Sequence, residues 1–76
     1  MTKVAKIRND ETVEPGTLVR SAKGAIVYQV LETRKHRFLE GRLRDTRTGR
    51  SRGWEYLDLM IRCTADGAPV TTTAGE

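Results

Sequence analysis

Seventy-six residues with a net charge of +4, 37% apolar and 32% charged allow one small domain with a modest core. One cysteine, Cys63, excludes an intrachain disulfide, and with a single histidine no Cys/His cluster has metal-ligand spacing. No apolar run approaches the roughly 20 residues that span a bilayer, and Met1 to Asp10 lacks the apolar stretch of a signal peptide, so the expectation is a soluble, cytoplasmic domain with no membrane partner, no cofactor and no metal.

Along the chain, residues 1–13 mix charges with scattered apolar positions and read as a flexible arm or an edge strand around Val4 to Ile7. Glu14-Pro15-Gly16 is a turn signal, because Pro fixes φ at the first corner and Gly accepts φ > 0 at the next. Thr17 to Ser21 is short and β-branched, hence a strand. Ala22-Lys23-Gly24 is a tight loop. Ala25 to Thr33 is the strongest strand, with Ile26, Tyr28 and Val30 on one face and Val27, Gln29 and Leu31 on the other.

After the polar link Arg34-Lys35-His36-Arg37, the segment Phe38 to Asp45 alternates again. Leu39, Gly41 and Leu43 share one face, and Phe38, Glu40, Arg42 and Arg44 the other. Gly41 inside this strand suggests a bulge or sharp bend. Thr46 to Arg50 is a hairpin turn with Gly49 as its left-handed residue. Ser51 to Trp54 starts the returning strand, Glu55-Tyr56-Leu57 reads as a single helical or 3-10 turn, and Leu59 to Cys63 is a last strand in which Cys63 packs as a small hydrophobe. Residues 64–76 are small and polar and read as a flexible tail.

The order of these elements, with Pro15-Gly16-Thr17-Leu18-Val19 entering the first strand, Gly24 before the second and Trp54-Glu55-Tyr56-Leu57 leading into Leu59-Met60-Ile61, resembles the SH3-like small barrels, including their Tudor-like and KOW-type relatives. The resemblance covers residues 14–63 and implies an all-β, five-stranded SH3-like barrel with one 3-10 turn before the last strand and flexible termini. The chain lacks the two-glycine spacing of a full KOW motif and the aromatic cage of a methyl-lysine reader, so the ligands of those subfamilies do not carry over. Small size and a basic surface are also similar to the accessory proteins of actinobacterial phages.

Catalysis is not expected. His36 lies among cations that disfavour its charged form and reads as a solvated surface residue, and no nucleophile–base pairing or Gly-rich phosphate loop is present. The informative feature is charge. Between positions 34 and 52 eight cations face only Glu40 and Asp45, while the rest of the chain is net acidic. Arg42 and Arg44 share a strand face, Arg50 and Arg52 share one on the returning strand, and Arg47 projects from the turn. Such a ribbon suits a phosphate backbone, since cations placed there release condensed counterions, and the Arg fork matches phosphate and guanine edges.

The first functional expectation is therefore a non-enzymatic, nucleic-acid-binding module that contacts DNA or RNA through Lys35, Arg37, Arg42, Arg44, Arg47, Arg50 and Arg52. The plain alternative for this charge is a solvated face that keeps a small domain in solution. Phe38, Trp54 and Tyr56 are stacking or interface candidates. Phe38 is expected to cap the core, with exposure as the alternative, and Trp54 to pack in the core with a partly exposed edge. The second functional expectation is a protein-interaction or assembly module that takes an acidic protein, or another copy of itself, through strand edges and the Phe38, Trp54 and Tyr56 surface.

Overall fold

The computed structural model describes residues 6–70 in full and the backbone of 2–3 and 72–73; Met1, Val4, Ala5, Thr71 and 74–76 lie outside the described residues. Seven strands and one 3-10 turn follow in the order β1 (Thr2–Lys3), β2 (Leu18–Ser21), β3 (Tyr28–Lys35), β4 (Leu39–Asp45), β5 (Ser51–Tyr56), η1 (Leu57–Leu59), β6 (Met60–Arg62) and β7 (Thr72–Thr73). β1 and β7 pair as a two-stranded ribbon. The other five form one antiparallel sheet in the order β5-β4-β3-β2-β6. Among the described residues no helix is long and apolar enough to cross a membrane.

The expected run of elements from β2 to β6 is present, but the ladder does not close. β5 and β6 are opposite ends of the sheet, so it is a rolled, open sheet rather than a hydrogen-bonded barrel. The rolling follows from the connection. Five flat strands would hold β5 and β6 about 19 Å apart. The 3-10 turn between Tyr56 and Met60 advances only about 2 Å per residue, or about 8 Å in all. The chain can cross from one end to the other only if the sheet curls.

Curling encloses a core of Ile7, Val13, Val19, Tyr28, Val30, Leu39, Leu43 and Leu57. Leu57 is fully buried and seats its isobutyl group on Gly41, where an added Cβ would meet three Leu57 side-chain carbons at 3.0–3.2 Å. Gly41 is therefore a point of close approach, and the bulge expected there lies elsewhere. One occurs at Leu31, between the pairs Val30↔Leu43 and Glu32↔Arg42. The other occurs at Arg52–Gly53, where Gly53 adopts φ 82°.

The turns follow the sequence. Thr17 N–H donates to Glu14 O at 3.1 Å with Gly16 at φ 93°, the geometry of a type II turn. The strand expected from Ala25 begins three residues later. Residues 24–27 are held instead by the Arg20 guanidinium, which donates to the carbonyls of Ser21, Ala22, Gly24 and Gly67, and by Thr46, which donates to Val27 O.

Within the described residues, parts of both end segments bond to the body. Ile7 and Val13 are core residues, Ile7 N–H donates to Met60 O, and Lys6 bridges Ile61. Asn9 Oδ1 accepts from Leu39 N–H. Val4 and Ala5, part of the expected edge strand, lie outside the described residues. At the other end Val70 N–H donates to Arg62 O, and residues 64–68 close a turn. Backbone groups that find partners this way offset ordering entropy that composition alone leaves uncovered.

Glu11 fastens the N-terminal segment twice. Its carboxylate accepts from Arg8 N–H at 2.6 Å and from Arg62 Nη1 at 2.7 Å. The Arg8 amide, with Arg62 beside it, holds the Glu11 carboxyl below its ordinary 4.5 against the opposing pull of partial burial. A lowered carboxyl stabilises the fold at pH values above its unfolded pKa, and that contribution disappears as pH falls through the folded one. Glu11→Gln is expected to lower the melting temperature at neutral pH, and the gap to the parent chain should close below about pH 4.5; a gap independent of pH would remove the carboxylate from the account. Gly41→Val should destabilise by about 1–3 kcal/mol through overpacking. Combination with Leu57→Ala should recover part of that loss, read as non-additivity in urea melts.

Candidate nucleic-acid interface

Three strands build the outer face, and their register decides what it carries. In β4 the buried Leu39, Gly41 and Leu43 point inward, which turns Glu40, Arg42 and Arg44 outward. The Leu31 bulge shifts the phase of β3 by one residue, so Gln29, Glu32 and Arg34 all lie opposite those three. From β5, Ser51, Trp54 and Tyr56 complete the face. The result is three cross-strand rows: Gln29–Arg44–Ser51, Glu32–Arg42–Trp54 and Arg34–Glu40–Tyr56.

Ion pairs neutralise the middle of this face. Arg42 Nε lies 2.7 Å from Glu32 Oε2, and Arg34 Nε 2.7 Å from Glu40 Oε1. Both are exposed pairs, each worth no more than about 1 kcal/mol. The Arg34 guanidinium also lies 4.1 Å from the Trp54 ring centroid, a cation–π contact fixed in place by Glu40. Trp54 is half-buried beneath it and sits on the outer face rather than in the core. Arg44 donates to Gln29 Oε1, an uncharged partner that leaves its charge uncancelled.

The ends of the face are cationic. At the β4–β5 turn Gly49 takes φ 75°, and the carboxylate of Asp45 accepts from the amides of Arg47 (2.8 Å) and Thr48 (3.4 Å). Asp45 is spent on shaping the turn, and Arg47 and Arg50 stand exposed beside it. At the β3–β4 turn Lys35, His36, Arg37 and Phe38 are all exposed. Phe38 does not cap the core, which Leu39 already fills. It is 45% exposed and packs edge-to-face on the 49%-exposed Tyr56, with centroids 5.6 Å apart and planes at 71°. The seven residues of β4 separate the two ends by about 20 Å.

Among the described residues no carboxylate pairs with Lys35, Arg37, Arg44, Arg47, Arg50 or Arg52. Arg44 and the paired Arg42 lie on the outer face, and Lys35, Arg37, Arg47 and Arg50 stand exposed at its two ends, Lys35 across from the inward-pointing Leu39. Arg52 follows the outward-facing Ser51 and lies at the β5 bulge. The bulge turns it to the far side, where its guanidinium lies 5.6 Å from the Tyr28 ring centroid. There it helps line a cleft of about 270 Å³ between β5 and the β2–β6 side, together with Tyr56, Leu59 and Met60. Glu32, Arg34 and Gln29 entered the face without being singled out by sequence; the alternating charges of Glu32 and Arg34 were the available signal, and the Leu31 bulge concealed it.

Cys63 is buried and its thiol is pushed up by that burial, against the pull of Arg20, so it stays a neutral packing group. Among the described residues no group of three or more His, Cys, Asp or Glu side chains converges as a metal site would. No model of a known protein family matches the chain, and neither a curated protein nor a solved structure matches it.

Trp54 is the single tryptophan, so its cover can be monitored directly. Arg34→Ala should red-shift Trp54 emission and change stability by less than about 1 kcal/mol; an unchanged spectrum would mean that the guanidinium does not shield the ring in solution.

Proposed function

We propose that this domain binds nucleic acid, without catalysis, through the outer face of β3–β5 and the β4–β5 turn. The observation that carries this reading is the set of cations left without a carboxylate among the described residues, Arg44, Arg47 and Arg50 at one end and Lys35 and Arg37 at the other. With Glu32 counted and Arg52 left out, seven cations still oppose only three carboxylates across this surface and its ends. Positive charge this concentrated attracts a polyanion and releases its counterions. Guanidinium groups reach phosphate oxygens in bidentate fashion. Arg44, Arg47 and Arg50 make the main phosphate contacts and Lys35 and Arg37 extend them. Arg42 serves chiefly to cancel Glu32, and Arg52 lies outside the contact surface.

A second reading takes the domain as an assembly module that receives an acidic protein or another copy of itself. The observation that favours it is the cleft beside β5, where Leu59 is 59% exposed next to Tyr56 and Met60. Against it stand the bulge and the Arg52 charge on β5, devices that discourage strand addition at a sheet edge.

Fluorescence anisotropy with labelled DNA and RNA oligonucleotides, across a salt series, tests the first reading. Affinity should fall steeply with salt, each phosphate contact adding about 0.7–0.9 to the log–log slope. Arg44→Ala/Arg47→Ala/Arg50→Ala should remove about 2–3 from that slope and abolish binding at moderate salt, with the circular dichroism spectrum unchanged. Glu32→Gln should strengthen binding. Salt-independent binding, or a monodisperse dimer in light scattering with no affinity for either nucleic acid, would turn the conclusion to the second reading.

A further inference from the structure

Resting on the nucleic-acid reading, we infer that the outer face takes single strands in preference to duplex, with bases stacked on Phe38 and Tyr56 and phosphates held at the cationic ends. The geometry has three parts. First, Phe38 and Tyr56 are large aromatic side chains, each nearly half exposed, locked in an edge-to-face pair at the β3–β4 end of the face. An exposed pair of this kind contributes little to the core, whose inward positions are filled by Leu39, Leu43 and Leu57. Second, Tyr56 and Trp54 lie two positions apart on one strand face, about 6.8 Å along it. The plane of Arg34 over Trp54 extends the aromatic stripe with a guanidinium, itself a stacking surface for bases. Third, the carboxylates beside the stripe, Glu32 and Glu40, are both ion-paired. The centre is therefore neutral while the ends are positive.

A double helix does not use such a face well. Its bases are stacked on one another and offer only their edges, so π-faces are open to Phe38 and Tyr56 only when the bases are unpaired. A duplex would meet the cationic ends alone. The stacking contribution also differs in kind from the phosphate contribution: it is tolerant of base identity and nearly independent of salt.

The test uses the whole chain and three labelled probes: an oligothymidylate of about 12 nucleotides, within the site sizes of small single-strand-binding folds, an oligouridylate of equal length, and the duplex of the oligothymidylate with its complement. The single strands should bind more tightly than the duplex and quench Trp54 emission. Phe38→Ala and Tyr56→Ala should each weaken single-strand binding by about 5- to 150-fold with the salt slope unchanged, and should leave duplex binding as it was. Phe38→Leu and Tyr56→Leu, which keep apolar bulk, should show the same loss. Equal weakening for the thymidylate and uridylate probes assigns the contact to base and phosphate chemistry common to DNA and RNA. Duplex binding as tight as single-strand binding, with all four variants unaffected, would overturn the stacking inference while leaving phosphate binding intact. No binding of any probe at low salt would remove both.

Discussion

The contact between Leu57 and Gly41 is the constraint on which the rest of the molecule depends. A three-residue turn joins strands that belong to opposite ends of the sheet, and it can do so only where the sheet curls under it. Leu57 is the side chain that the turn delivers to the interior, and the missing Cβ at Gly41 is what lets it lie flat on β4. One face of β3 and β4 thereby becomes a closed interior. The opposite face of the same strands is left with no layer upon it, free to carry charge.

Charge on that open face is arranged by backbone irregularity as much as by residue choice. The Leu31 bulge sets Glu32 against Arg42 and Arg34 against Glu40, so that two arginines spend their charge inside the sheet. A similar device on β5 removes Arg52 from the outer face and turns it toward Tyr28. What remains uncancelled is displaced to the two hairpin turns. A composition that gives one continuous basic ribbon when read as ideal alternation becomes a neutral aromatic centre between two cationic ends.

This explains which parts of the structure the sequence discloses. The Pro15-Gly16 turn, the Gly49 hairpin and the inward run Leu39, Gly41, Leu43 were legible, because each is set by local conformational preference or a period of two; so was the presence of a 3-10 turn before the last strand, although it spans Leu57–Leu59 and the expected Glu55 and Tyr56 belong to β5. The two bulges were not, since a single extra residue leaves no compositional trace, and each moves an arginine to another surface or another partner. Nor were the fates of Ile7, Val13 and residues 64–70. Their order comes from partners distant in the chain, such as the Arg62 guanidinium on Glu11 and the Arg20 guanidinium on Gly67 O. Phe38 misled for a related reason: a terminal aromatic beside a strand reads as core until Leu39 is seen to fill the inward position.

The same geometry separates charge that serves the fold from charge left for a partner. Arg20, Arg62 and Asp45 are tied to backbone or to a structural carboxylate, so their replacement would act on folding first. Arg34 and Arg42 are held by exposed pairs whose net contribution is small, and a phosphate could compete for either guanidinium at little cost to the sheet. Among the described residues Arg44, Arg47 and Arg50 have no carboxylate partner to give up, and the turn that carries two of them is already shaped by Asp45 and Gly49. A phosphate arriving there meets donors whose backbone is ordered, which lowers the entropic cost of association relative to a flexible basic tail. On the proposed reading, placement at the end of a short hairpin, rather than the amount of positive charge, is what would set this surface apart from a solubilising one.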